Sequence, residues 1–363
     1  MTYLAGEYGK PLSTLFTALC PLPWTFLILP TAWAIRWRKS TKPVVGVWAF
    51  LVLIFASWVA RKKFASFQRW QGLACIWLSV GVLTLGTALW LQREVFIDKT
   101  VYAVRNFYGV LRVLDHSQGE PAEHILWLRH GHISHGCQLL DPVKANWPTT
   151  YYSENSGVGL ALRALPAGHR CIGVVGLGVG ILAAYGRAGD SFRFYEINPE
   201  VERIATSRFT FLTNCPGKVG ITLGDARLSL ERELPQDFDL LVLDAFNSDA
   251  IPLHLLTVEA FEVYNRHLKT NGIIAIHISN NSLDLEPVAA NLALHFNYRM
   301  VVVDHVPAPE EWWLNRSMWV LLARNQEALD SPGIQSASRP ARADFASVPL
   351  WTDDFSSLFQ VLK

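Results

Sequence analysis

The chain has 363 residues, enough for one large domain or two, and half of them are hydrophobic. Its net charge of +1 hides an asymmetry: residues 1–92 carry nine Lys or Arg against one acid, and the remainder carries 23 against 30. The acid-rich remainder excludes a nucleic-acid partner, and five scattered cysteines without a Cys-x-x-Cys pair exclude a disulfide framework.

Three charge-free apolar runs come first, roughly Leu12 to Ile35, Val44 to Ala60 and Gly72 to Leu91. Each approaches the ~20 residues needed to cross a bilayer. Knots of Arg and Lys separate them, and Trp33, Trp37, Trp58, Trp70 and Trp90 lie near their ends. Residues 1–92 are therefore expected to form three N-terminal transmembrane helices, with membrane lipid around residues 12–91. That predicts a multi-pass inner-membrane protein whose catalytic domain faces the cytoplasm.

Residues 93–156 read as a small β subdomain. Thr100 to Val104 and Val110 to Asp115 form a predicted hairpin, and Ile125 to Arg129 a further strand. Gly131, Gly136 and Pro142 punctuate the stretch after it. His130, His132 and His135 lie close together, but no nearby Cys or acid completes a ligand set. No metal is expected; they read as polar loop histidines, or as one substrate-contacting histidine. Gly157 to Leu165 suits a short helix.

The stretch from Cys171 to Glu200 organises the remaining chain, 157–363. A short apolar run ends in Gly176-Leu177-Gly178-Val179-Gly180, an apolar helical segment runs from Ile181 to Tyr185, and a second apolar run ends on Glu196. Strand, glycine turn, helix, strand and acid make one unit of a parallel α/β nucleotide-binding fold. The glycines let backbone approach a ligand closely, and an acid at the second strand's end can accept hydrogen bonds from two ribose hydroxyls. This pattern leaves NAD, FAD and S-adenosylmethionine open.

Further strands are expected at Val219 to Leu223, Phe238 to Leu243, Ile273 to Ile278, Met300 to Val303 and Trp319 to Leu322. Helices are expected at Val201 to Phe209, Thr257 to Leu268, with Asn271-Gly272 as a stop, and Val288 to Leu294. Residues 325–348 read as a loop. Glu196, Asp225 and Asp244 each follow an apolar strand directly, which places three carboxylates along the ligand-binding edge of an open parallel sheet. The patterned segment from Asp244 to Thr257 adds Asn247, Ser248, Asp249 and His254, and a later acidic turn, Trp351-Thr-Asp353-Asp354, is a further candidate. Carboxylates here can take a proton from an attacking amine or position an ammonium group.

From about Arg105 to Ser279 the chain resembles the aminopropyltransferase (spermidine synthase) family, most closely its bacterial membrane-anchored branch. The resemblance is carried by Arg105-Asn-Phe-Tyr-Gly109, His135-Gly-Cys-Gln138, Tyr151-Tyr152-Ser-Glu154, the glycine turn, Glu196, Gly224-Asp225-Ala226 and Asp244. It implies a Rossmann-like, methyltransferase-type parallel sheet behind a small β subdomain. The implied reaction moves an aminopropyl group from decarboxylated S-adenosylmethionine to a di- or polyamine. It further implies that Gln138 lines the site, Tyr152 approaches the amine and Glu196 holds the ribose. Asp225, with Ala226 beside it, lies at the adenine. By the same resemblance Asp244 is implied to be the catalytic aspartate, Asp249 a second aspartate of the motif that begins at Asp244, and Gly176, Gly178 and Gly180 the cradle of the nucleoside. No tightly bound cofactor is implied, and a homodimer is compatible. Two departures stand out: Val179 replaces a loop aspartate, and two extra residues separate Asp244 from Asp249. Two other functions fit the sequence. One is a methyltransferase using S-adenosylmethionine on a hydrophobic or membrane substrate; the other is a non-catalytic nucleoside-binding membrane module.

Overall fold

The computed structural model describes residues 71–97, 99–131, 133–245, 252–342 and 348–363. It divides into two compact units, residues 1–98 and 99–363. In the first unit the third apolar run forms helix α1 (Gln71–Ile97). The expectation of three transmembrane helices is corrected here: among the described residues no helix is long and apolar enough to cross a membrane. The first two runs lie outside the described residues. The lipid contact around 12–91, the multi-pass inner-membrane placement and the membrane-anchored branch fall with this correction.

The second unit opens with an antiparallel sheet of β1 (Thr100–Asn106), β2 (Gly109–His116), β3 (Ile125–His130) and β4 (Ile133–Leu139), in that order. The β1–β2 hairpin turns through Phe107 and Tyr108, with Asn106 paired to Gly109. β4 was not expected, because Gly136 reads as a breaker. Its glycine is required by contact: a Cβ there would lie 2.6 Å from Val179 Cγ2, at φ +126°. Val179 is fully buried, so the residue that departs from the family's loop pattern packs the glycine turn against β4.

The larger sheet has eight strands, β5 (Cys171–Val175), β6 (Ser191–Glu196), β7 (Lys218–Leu223), β8 (Phe238–Leu243), β9 (Leu268–His277), β10 (Arg299–His305), β11 (Ser317–Ala323) and β12 (Ser338–Pro340). Their order is β12-β10-β11-β9-β8-β5-β6-β7. From β9 to β7 neighbours are parallel, while β11 and β10 return antiparallel. β8 is apolar at every position but Asp239 because both of its faces are covered. Leu240 and Val242 enter one core with Val158 and Ile204; Leu241 and Leu243 enter the other with Phe261 and Val288. Helices α2 (Gly157–Ala164) and α3 (Pro199–Arg208) supply the first face. Helices α4 (Ala226–Arg232), α5 (Val258–His267) and α6 (Glu286–His295) supply the second. Leu111, Val113 and Leu128 join the first core, so the small sheet packs on that face. Asn106 Nδ2 also donates to Asn198 Oδ1 at 2.6 Å.

Three smaller corrections concern local structure. The helical segment Ile181–Tyr185 has the expected bounds but is a 3-10 helix rather than an α-helix. Asn271-Gly272 does not stop α5; both residues lie inside β9. A Cβ on Gly272 would sit 2.8 Å from Phe238 O, and the β8–β9 register shifts at that point. The region 325–348 contains a short helix, α7 (Pro332–Ala337), and then the edge strand β12.

Chain order places β5, β6 and β7 on one side of the switch and β8 and β9 on the other. The crevice at the carboxyl ends of β5 and β8 is where open α/β sheets bind ligands.

Candidate active site

The glycine turn continues β5. Gly176 has φ +98°, and a Cβ there would lie 2.3 Å from Asp244 O. Gly178, at φ +55°, would bring a Cβ within 2.8 Å of His135 O. Two glycines therefore let the turn press against the ends of β8 and β4. The space at Gly180 is instead taken by Leu212. Gly176→Ala combines an unfavourable φ with a backbone clash, and is expected to destabilise the domain by about 2 kcal/mol or more. A urea unfolding midpoint equal to the wild type's would contradict this packing.

Asp244 follows β8 and is buried. Tyr152 OH donates to its Oδ2, and His277 Nδ1 lies 2.7 Å from its Oδ1. His277 is the last residue of β9. Its ring is stacked between Tyr151, at 4.4 Å, and Trp319, at 4.6 Å. Its Nε2 lies 2.8 Å from Ser279 Oγ, which accepts from Met318 N at 2.7 Å. Two aromatic faces fix the ring's plane, and hydrogen bonds fix its rotation within that plane. Burial first, and then the nearby Asp244 charge, holds the Tyr152 phenol well above its ordinary range, so it stays a donor.

Glu196 ends β6 with both oxygens engaged. Oε2 accepts from Leu177 N at 3.0 Å, and Oε1 from Asn198 N at 2.9 Å. Burial raises its carboxyl despite those backbone donors. Asp225 caps α4 through Leu228 N at 3.0 Å, and its other oxygen lies 2.8 Å from His254 Nε2. Ala226 starts α4 beside it.

These groups meet around one cavity of about 240 Å3, with Gly176, Glu196, Asp225, Ala226, Asp244 and His135 in its wall. Gly178 lines it as well. Among the described lining residues there are three carboxylates and no Lys or Arg. Tyr152 reaches this wall through Asp244. Gln138 is not brought to it: its amide donates to Ala145 O and Thr210 Oγ1 and accepts from Thr210 N, pinning β4 to the Thr210 loop. Asp249 lies outside the described residues. The late acidic turn sits by α4, where Asp353 spends both oxygens on Arg227 at 2.6 Å each. Among the described residues, no three His, Cys, Asp or Glu are placed to hold a metal ion.

No family model matches the chain. A polyamine aminopropyltransferase of Vibrio vulnificus (strain CMCP6) is 34% identical over 89 residues, which is 24% of this chain and 29% of that relative's length. The crystal structure of a protein described as a probable spermidine synthase, from Corynebacterium glutamicum, superposes with a TM-score of 0.53 at 17% identity. The alignment covers 70% of this chain and 97% of that one. The chain has a spermidine-synthase-like fold. At that identity the likeness speaks for the fold alone.

His277 was missed in the sequence, and so was the aromatic clamp around it. The available signal was its position: like Glu196 and Asp244, it stands at the carboxyl end of an apolar parallel strand.

Proposed function

We propose that the chain is an aminopropyltransferase-like enzyme that uses a nucleoside derived from S-adenosylmethionine. In its finer form, it moves an aminopropyl group from decarboxylated S-adenosylmethionine to a di- or polyamine. The observation that carries this reading is Asp244, held between Tyr152 and His277 in the wall of a cavity that the glycine turn also lines.

The chemistry asks little of the protein. The amine nitrogen's lone pair forms a bond to the methylene carbon beside the sulfonium. The carbon–sulfur pair leaves with sulfur, giving neutral methylthioadenosine. The nitrogen sheds a proton, which the Asp244 carboxylate accepts. Tyr152 and His277 hold the carboxylate toward the incoming amine, so that attack is in line and the amine is unprotonated when it attacks. On this reading Glu196 receives the ribose hydroxyls, Asp225 and Ala226 flank the adenine, and backbone at Gly176 and Gly178 lies against the nucleoside.

The charge of the cavity favours the decarboxylated form. An intact methionine tail carries a carboxylate, which would face the Asp244 carboxylate in an acidic cavity with no described Lys or Arg to receive it. Calorimetric titration is expected to give at least about tenfold tighter binding of decarboxylated than of intact S-adenosylmethionine. Equal affinity, or preference for the intact form, would overturn this assignment in favour of methyl transfer.

A further inference from the structure

The cavity wall contains one polar atom that the protein leaves unserved. His135 is on β4, with its main-chain carbonyl against Gly178, so its position relative to the glycine turn is fixed. Its ring lies 5.4 Å from that of His130, centroid to centroid, and both residues line the cavity. His135 Nε2 is buried and has no hydrogen-bond partner. Other buried polar atoms lack partners too, those of Thr150 and Trp351 among them. Among the described residues, however, His135 is the only one of these that lines this cavity. A buried polar atom left unpaired is destabilising, and a bound molecule can remove that cost.

We infer that His135 is a ligand-contacting residue whose Nε2 hydrogen-bonds an uncharged hydroxyl or amino group of a nucleoside seated in the cavity. This rests on the nucleoside-binding reading above. The ring's charge state agrees with it. Burial, reinforced by His130, lowers the imidazole to about 4, so the ring is neutral near pH 7. A neutral ring keeps one donor and one acceptor nitrogen, and it adds no positive charge beside a sulfonium.

The test compares two substitutions that place an amide nitrogen differently. In His135→Gln the amide reaches the position of Nε2; in His135→Asn it reaches only that of Nδ1. Methylthioadenosine is the probe, titrated calorimetrically into full-length wild-type and variant proteins whose thermal unfolding shows them folded. His135→Gln is expected to bind within about threefold of wild type, and His135→Asn about tenfold more weakly. Equal affinities for the two variants, or tighter binding by His135→Asn, overturn the inference while leaving the nucleoside reading standing. A wild-type chain that binds neither methylthioadenosine nor decarboxylated S-adenosylmethionine overturns both.

Discussion

Asp244→Asn is expected to lower turnover by about a thousandfold while nucleoside affinity changes by less than about threefold. The substitution keeps the side chain's shape and leaves one oxygen to accept from Tyr152 OH. It removes the charge and the capacity to take a proton from the attacking amine. It also turns one acceptor into a donor, so the contact with His277 Nδ1 must be rebuilt from the other tautomer. Because the side chain lies in the cavity wall rather than across it, the neutral product should still enter. Single-turnover rates and calorimetry on the same preparation separate the two quantities. Parallel loss of rate and affinity would make Asp244 a structural residue, closing the contact between β8 and the glycine turn.

Asp190→Asn should act at the other end of the sheet, on stability. Arg170 precedes β5 and Asp190 precedes β6, and both are almost fully buried. The guanidinium grips the carboxylate through Nε, at 3.1 Å to each oxygen, and through its terminal nitrogen, and also donates to Leu162 O and Tyr185 O. Arg187 N adds a bond to the carboxylate at 2.7 Å. Removing one charge strands the other in the core, which costs about 3–5 kcal/mol. That is a large part of the roughly 5–15 kcal/mol a domain holds. Urea midpoints at constant slope measure it. A shift worth less than about 1 kcal/mol would show that solvent reaches the pair.

The same pair predicts a pH dependence. Burial pushes the Asp190 carboxyl up, but the hydrogen bonds from Arg170 and Arg187 N outweigh it and leave the group below the ordinary carboxylate range. A carboxylate lowered on folding adds stability that is complete above its unfolded value of about 3.9 and is lost as pH falls through its folded value. The wild type should therefore lose stability below about pH 4, and Asp190→Asn should lose less over that window.

The frame of the α/β part was readable because its pattern and its burial agree. Phe238 to Leu243 is apolar but for Asp239, since both faces are covered, and Glu196 and Asp244 mark strand ends that the parallel arrangement brings to one rim. What was not readable is what neighbours impose. Gly136 and Gly272 look like punctuation, yet both lie within strands, where side chains or backbone from other elements fill the space a Cβ would need. His277 looks like an isolated histidine after an apolar run. The pairing of β8 with β9 brings it beside Asp244, and Tyr151 and Trp319, distant in sequence, stack on its ring. Gln138 illustrates the converse: its resemblance to a family motif suggests a site-lining residue, but the Thr210 loop takes up its amide. The apolar runs near the start had suggested three membrane crossings, because hydropathy counts residues. Among the described residues no helix meets the length and apolarity that a crossing demands.

One assay reaches the centre of this account. Folded, full-length protein is incubated with decarboxylated S-adenosylmethionine and each of a panel of di- and polyamines, and both products are followed by mass spectrometry. Methylthioadenosine should appear in equal amount with an amine enlarged by one aminopropyl group, at a rate that Asp244→Asn abolishes. Nucleoside recovered intact with every amine, from protein saturated with it, would contradict the assignment.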